Sequence, residues 1–541
     1  DLSKIETRAG DEPGSRAHPY SRQNLAGSYL ASQFAQRHQD WDKASQYLSD
    51  VLIQNPQDPQ ILKRAMILTA GSGDMNNALQ LAERVQKMEP DNALAILFLT
   101  AGAFHDKNYT QADAWIKAMP DGGLSAFMIP LLKSWSAAAL GKFDIKDLNK
   151  NSLHIQHAIM IADYLHQNAA IETMLSEALA RPDLTPENRA HIGDIYAHIG
   201  QTDKARALYE ALLKDDPGNK SLAGRLGDLK AGKRVPLASA VETPQQGMAT
   251  ALYNMAQLLF QDYSDDSARV FAHIAAYLDP AMTDAQLLLA AIAARNENYD
   301  AAIAIYKSID PRHPAYLEAQ RRAANLYLEH GQEARGIEIL NKLYKTHGDI
   351  EALIDVGDVY RMKEDFAKAL EIYNQAAAAM GKTIPPAFWD LHYMRGMCYE
   401  QLGQWDKAEA DLKQALVFQP DHPYVLNYLG YAWADKGVHL EQAMDMIERA
   451  VAAKPDDGYI RDSLGWVHFR MGDYVQAIPP LEKAVELLPY DPVINDHLGD
   501  AYWQVGRKSE ARFQWARARN FTKDDGQIAA IDEKLVNGLA P

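Results

Sequence analysis

Cysteine is nearly absent from this sequence: Cys398 is the only one among 541 residues. A lone cysteine cannot close an intrachain disulfide, so cysteine usage does not choose between a reducing and an oxidising compartment. Its place in a helix beside Gly396 predicts a packed thiol rather than a reactive one. Long apolar runs are missing too. None approaches the ~20 residues that a bilayer span needs, so a chain soluble as given is expected. Hydrophobic residues are an ordinary 47% of the chain. Cationic residues are in deficit, 55 Lys and Arg against 72 Asp and Glu for a formal charge of −17, which argues against nucleic acid as a partner.

The motifs of common chemistries are also missing. No glycine-rich loop is followed by Lys and Ser or Thr, and GSGD at Gly71 reads as a turn between helices. His154 and His157 lie three apart on one helix without a third ligand, which predicts a packed or surface pair and no metal. No nucleophile has a base at hand. The expectation is a non-enzymatic chain with no cofactor and no catalytic residue. The competing reading, an active site inside residues 121–183, has no constellation to support it. Residues 1–22 are polar, carry Gly10, Pro13 and Gly14, and lack an apolar signal core. They are expected to form a flexible tether. Without an initiating Met, a removed targeting segment or a trimmed chain is expected upstream.

What the sequence does have is repetition. Four phrases run through residues 386–520: MRGMCYEQLGQWDKAEADLKQALVFQP, YLGYAWADKGVHLEQAMDMIERAVAAKP, SLGWVHFRMGDYVQAIPPLEKAVELLP and HLGDAYWQVGRKSEARFQWARA. Their anchoring glycines, Gly396, Gly430, Gly465 and Gly499, step by 34, 35 and 34 residues. Each is followed by an alanine (Ala408, Ala443, Ala477, Ala511), a large apolar residue (Leu412, Ile447, Leu481, Trp515) and a second alanine (Ala415, Ala450, Ala484, Ala518). A small residue on the first helix lets the second approach, and small, large, small at helical spacing makes one packing face. Pro420, Pro455 and Pro489 end the hairpins, because proline cannot continue a helix. The period, small residues and terminal prolines together resemble the tetratricopeptide repeat. The resemblance implies an all-α, right-handed superhelical solenoid of helical hairpins.

Weaker copies extend the register upstream. Gly357, Ala324, Ala290 and Ala256 continue it, as do Gly193 and, near the start, Ser32, Met66 and Thr100. Gly227 opens a copy that never finishes, because the chain enters a stretch with Pro236, Pro244 and no helical apolar stripe. The expected organisation is therefore a tether at 1–22, a first solenoid segment at 23–228 that loses register over 121–183, a linker at 229–246, a second solenoid segment at 247–520, and a capping helix and tail at 521–541. For 121–183, irregular pairs and a single non-repeat helix both fit.

First helices line the inner face of a hairpin stack, so binding residues should occupy first-helix positions not spent on packing. With the anchor numbered eight, positions two, five, nine and twelve share one stripe. The candidate partner-binding residues there are Tyr393, Tyr424, Asn427, Tyr431, Tyr459, Asp462, Trp466, Phe469, Asp496 and Trp503. Aromatic and amide side chains at low entropy cost suit an extended peptide or a protein helix. For any one of the aromatics, packing between repeats is the competing role, and for Asp462 and Asp496 it is a solvated surface carboxylate. Position five holds Asn427, Asp462 and Asp496 rather than cations. A clamp for a free carboxylate is therefore disfavoured, and a neutral or basic partner segment is favoured.

From LNYLGYAWADKG to GRKSEARFQWARA, over residues 426–518, the chain is similar to bacterial tetratricopeptide lipoproteins of the cell envelope. Some of these act as adaptors for carboxyl-terminal processing proteases. The resemblance implies a scaffold of the Gram-negative periplasm or outer membrane, with a protease and its substrates as partners and a lipid anchor upstream of Asp1. The alternative is a cytoplasmic assembly or chaperone-like factor.

Overall fold

The computed structural model describes residues 24–539, apart from 121, 149–150, 182–183, 216–218 and 234–239. The expected tether at 1–22 lies outside the described residues. Among those described the chain is helices joined by short turns, with no strand, and it divides into two compact units, Asp1–Leu326 and Tyr327–Pro541.

The second unit follows the repeat closely. Its hairpins pair Ile350–Met362 with Phe366–Ala379, Trp389–Gln401 with Trp405–Phe418, Pro423–Lys436 with Leu440–Ala453, Gly458–Met471 with Tyr474–Leu487, and Pro492–Gln504 with Lys508–Phe521. The anchors act sterically, as the spacing predicts. A Cβ on Gly396 would stand 2.9 Å from the Leu412 side chain, one on Gly430 2.9 Å from Ile447, and one on Gly465 would drive into Leu481. Helix starts are fixed by side chains: Asp457 accepts the amides of Tyr459 and Ile460 at 3.0 and 3.1 Å, and Asp491 those of Val493 and Ile494 at 2.9 and 3.0 Å. Gly437 ends a first helix at φ 68°, a left-handed value that a side chain would strain. Asp525–Asn537 forms a last helix, Asp524 accepts the Gln527 amide, and Ile531 is buried against the final hairpin.

The first unit begins with the hairpins Asn24–Arg37 with Trp41–Gln54, Pro59–Gly71 with Met75–Met88, and Ala93–His105 with Tyr109–Ala118. Ser32 stands in the anchor slot and spends its hydroxyl on the Ala44 carbonyl at 2.7 Å, while Met66 fits its slot fully buried. The loss of register over 121–183 comes from one helix. Gly123–Ala139 touches both its sequential neighbours but packs most on Pro244–Gln261, more than a hundred residues on. Ser152–Tyr164 then pairs with Asn168–Leu179, and Pro186–His198 with Thr202–Asp215.

The boundary between units differs from the expected one. The linker at 229–246 does not separate them: Lys220–Lys230 enters it, and Thr243 closes it with a capping box that starts Pro244–Gln261. That helix and its partner Asp265–Leu278 fold back onto the first three hairpins, so the unit continues to Leu326. The cause is burial that no local pattern specifies. Met248, Leu252, Phe271 and Ile274 join one core with Leu62, Phe98 and Trp135.

Candidate functional site

In the first unit the stripe of the early hairpins is already occupied. Asp265–Leu278 packs on Pro59–Gly71 and Ala93–His105, the first helices whose inner faces would otherwise be free. His105 stacks on Tyr277 at 4.2 Å, the Arg269 guanidinium lies 5.4 Å from the Trp41 ring, and Gln36 donates to Asp266 at 2.9 Å. Gly73, at φ 90°, brings its backbone against the His273 ring, where even a Cβ would stand 3.1 Å away. Burial, with the nearby Arg269 charge, pushes the His273 imidazole down to about 3. One layer over, Gly247 touches the face of Trp135, leaving no room for a side chain. Trp135 donates to His157 at 3.0 Å, whose other nitrogen meets Asn254 at 3.1 Å. Burial also takes His157 down to about 3, so it is neutral. His154 and His157 form a packed pair, and no group of three potential metal ligands occurs among the described residues.

The corresponding face of the second unit holds the sequence candidates in three groups. Tyr424 and Tyr459, both at position two of their repeats, remain 44% and 59% exposed. Tyr393 and Asn427 are half-buried beside them, with Tyr393 edge-to-face on Tyr428 at 5.9 Å.

The second group is a stack. Trp466 lies parallel to Phe469 at 4.9 Å and to His497 at 3.9 Å, with Tyr431 tilted 6.4 Å from the same imidazole. Asp462 is buried rather than solvated and meets His497 Nδ1 at 2.9 Å. Burial disfavours charge on His497, but Asp462, with Asp496 and Asp500 behind it, outweighs burial and holds the imidazole above its usual range. Burial likewise raises the Tyr431 phenol. The indole N–H of Trp466 has no hydrogen-bond partner.

The third group carries an occupant. Lys534 of the cap reaches Asp496 at 2.7 Å and both oxygens of Asp500 at 2.9 Å, and Asp500 also accepts the Trp515 N–H at 2.8 Å. Gly538 packs on the Trp503 ring. Asp496 and Trp503 are therefore covered by the chain itself. His497 and Lys534 were missed by sequence reasoning. His497 sits off the stripe, two residues before its anchor, and Lys534 is one cation on a non-repeat helix. Cys398 is buried, and burial pushes its thiol up to about 11, so it is no nucleophile at neutral pH.

Comparison with known proteins agrees with the hairpins. Tetratricopeptide-repeat models match residues 191–219, 389–422 and 439–492, and the ARM repeat of tetratricopeptide repeat protein 21 matches 237–336. A TPR repeat-containing protein of Pseudomonas aeruginosa is 28% identical over 185 residues, 34% of this chain and 30% of the relative. A lipoprotein NlpI homolog of Haemophilus influenzae is 52% identical over 40 residues, 7% of this chain and 13% of that protein. The chain thus matches less than a third of the length of either relative. The solved APC/C hetero-tetramer Cut9–Hcn1 aligns over 96% of this chain and 98% of its own with 16% identity and a TM-score of 0.42.

Proposed function

For a chain that carries tetratricopeptide repeats, we propose a non-enzymatic scaffold that binds partner proteins on the inner stripe of its second unit. The observation that carries this reading is the exposed pair Tyr424 and Tyr459, in register one repeat apart on the helices that also carry Tyr431 and Trp466 of the stack. Aromatic side chains left in water at equivalent positions of successive repeats gain by covering an extended segment. A cell-envelope role, gathering a processing protease and its substrates, is the finer form of the proposal. It is supported by the likeness of the 426–518 stretch to envelope lipoproteins, and by the short match to the Haemophilus lipoprotein.

Affinity capture from the source cells with the full chain and with the Tyr424→Ala/Tyr459→Ala variant tests the stripe. The variant should lose most captured protein at an unchanged helical circular-dichroism signal. Equal capture by both would refute it. Fractionation tests the finer form: the chain should travel with the periplasm or outer membrane, and recovery only with the cytoplasm would overturn the envelope role.

A further inference from the structure

Within the stripe reading above, we propose that the C-terminal helix Asp525–Asn537 is a displaceable occupant of the stripe's last repeat, standing in for an arginine-bearing segment of the partner. It covers Asp496, Asp500 and Trp503, at positions five, nine and twelve of that repeat's stripe. Its apolar hold is narrow: Ile531 is its only fully buried apolar side chain, and Ile528 and Leu535 are half-buried. The rest of its grip is polar, the Lys534 ammonium on Asp496 and Asp500 together with the Arg519–Asp532 pair and the Arg512 hydrogen bond to the Leu535 carbonyl at the exposed edge. A helix of 13 residues with so little apolar burial does not persist alone in water, so it folds where the stripe holds it.

The chemistry of the site specifies the competitor. Lys534 satisfies Asp496 through one oxygen only, and the other, Oδ1, is buried with no hydrogen-bond partner. An ammonium is a point donor, whereas a guanidinium presents a planar fork of donors that can serve both oxygens of one carboxylate and still reach a second. A segment offering arginine at this place satisfies an acceptor that the resident lysine leaves unmet, and exchanges for the cap without leaving either aspartate unpaired. Release of the cap then uncovers Trp503 next to the Trp466 stack, lengthening the stripe by one repeat.

Hydrogen exchange on the intact full-length chain tests whether the cap opens. The amides of 525–537 should exchange at least about tenfold faster than those of the adjoining hairpin 492–521, and at least a further tenfold or so faster in Lys534→Ala, which removes the charge-assisted hydrogen bonds to Asp496 and Asp500. Exchange of the cap as slow as the hairpin in both proteins makes it a fixed end and overturns the proposal. Competition tests the chemistry with synthetic peptides of this chain's own residues 523–541, one carrying Lys534→Arg and one Lys534→Glu. The arginine peptide should bind the Ile531→Ala/Lys534→Ala chain at least tenfold tighter than the glutamate peptide. It should also lose that margin when Asp496→Asn/Asp500→Asn is added. Equal binding of the two peptides overturns the arginine assignment. Failure here leaves the Tyr424 and Tyr459 result standing, so the two readings fall separately.

Discussion

The two units start from one repeat and spend its inner face differently. In the first unit the stripe is consumed by the chain's own helix Asp265–Leu278, and His273 at that contact and His157 against Pro244–Gln261 are buried neutral. In the second unit the stripe stays open at Tyr424 and Tyr459, and its buried histidine, His497, is held above its usual range by Asp462. The difference teaches that a repeat supplies a face but not its use. Where apolar residues such as Phe271 and Ile274 are available to fill it, the face becomes core. Where carboxylates and tyrosines line it, it remains a surface.

The largest expected effect breaks the first unit alone. Trp135→Ala removes the ring on which Gly247 sits and the partner of His157, and should cost about 3–5 kcal/mol. Hydrogen exchange would show it as lost protection over 123–139 and 244–278, with 458–521 unchanged. Equal losses in both regions would contradict the contrast.

Acid should separate the units next. His157 and His273 have folded values depressed to about 3, so their contribution is complete above the unfolded value of about 6.5 and is lost as pH falls from there. Each costs roughly 2–3 kcal/mol between pH 6.5 and 4.5, at about 1.4 kcal/mol per unit. His497 has the opposite sign. Its folded value is raised, so the stability it gives is complete below about 6.5 and is lost as pH rises through the folded value. Urea unfolding with exchange readout across pH 5 to 9 should destabilise 244–278 at the acid end and 458–504 at the alkaline end.

In the second unit, Gly465→Ala forces Leu481 and the Ala477 carbonyl aside and should cost about 1–3 kcal/mol, read as a lower urea midpoint. Asp457→Ala removes the cap of Gly458–Met471 and should cost about 1 kcal/mol by the same measurement. The smallest stability effect sharpens the contrast most. Tyr424→Ala and Tyr459→Ala should shift stability by no more than about 0.5 kcal/mol, because exposed side chains pack little, while capture of partners falls.

Much of this fold is legible in the sequence. Gly396, Gly430, Gly465 and Gly499 meet their expected partners, and the cap at Asp524 and Gly538 lies where its residues place it. The candidate site is legible only as a stripe. Position two leaves Tyr424 and Tyr459 exposed, but the same periodicity that selects Asp462 and Asp496 cannot say that His497 and Lys534 will engage them. Those partners come from a neighbouring repeat at an off-stripe position and from a helix outside the repeat.

By itself the sequence determined the hairpin, its period, its sterically required glycines and the face each first helix presents. These rest on contacts within one hairpin or between neighbours, and such contacts leave a periodic trace. Only the tertiary structure decided which face is spent. The return of Asp265–Leu278 onto Pro59–Gly71, and of Lys534 onto Asp496 and Asp500, joins residues far apart in the chain or outside its repeat. Burial of apolar area and pairing of charge select those contacts only when the chain is folded, and neither is written at a fixed spacing.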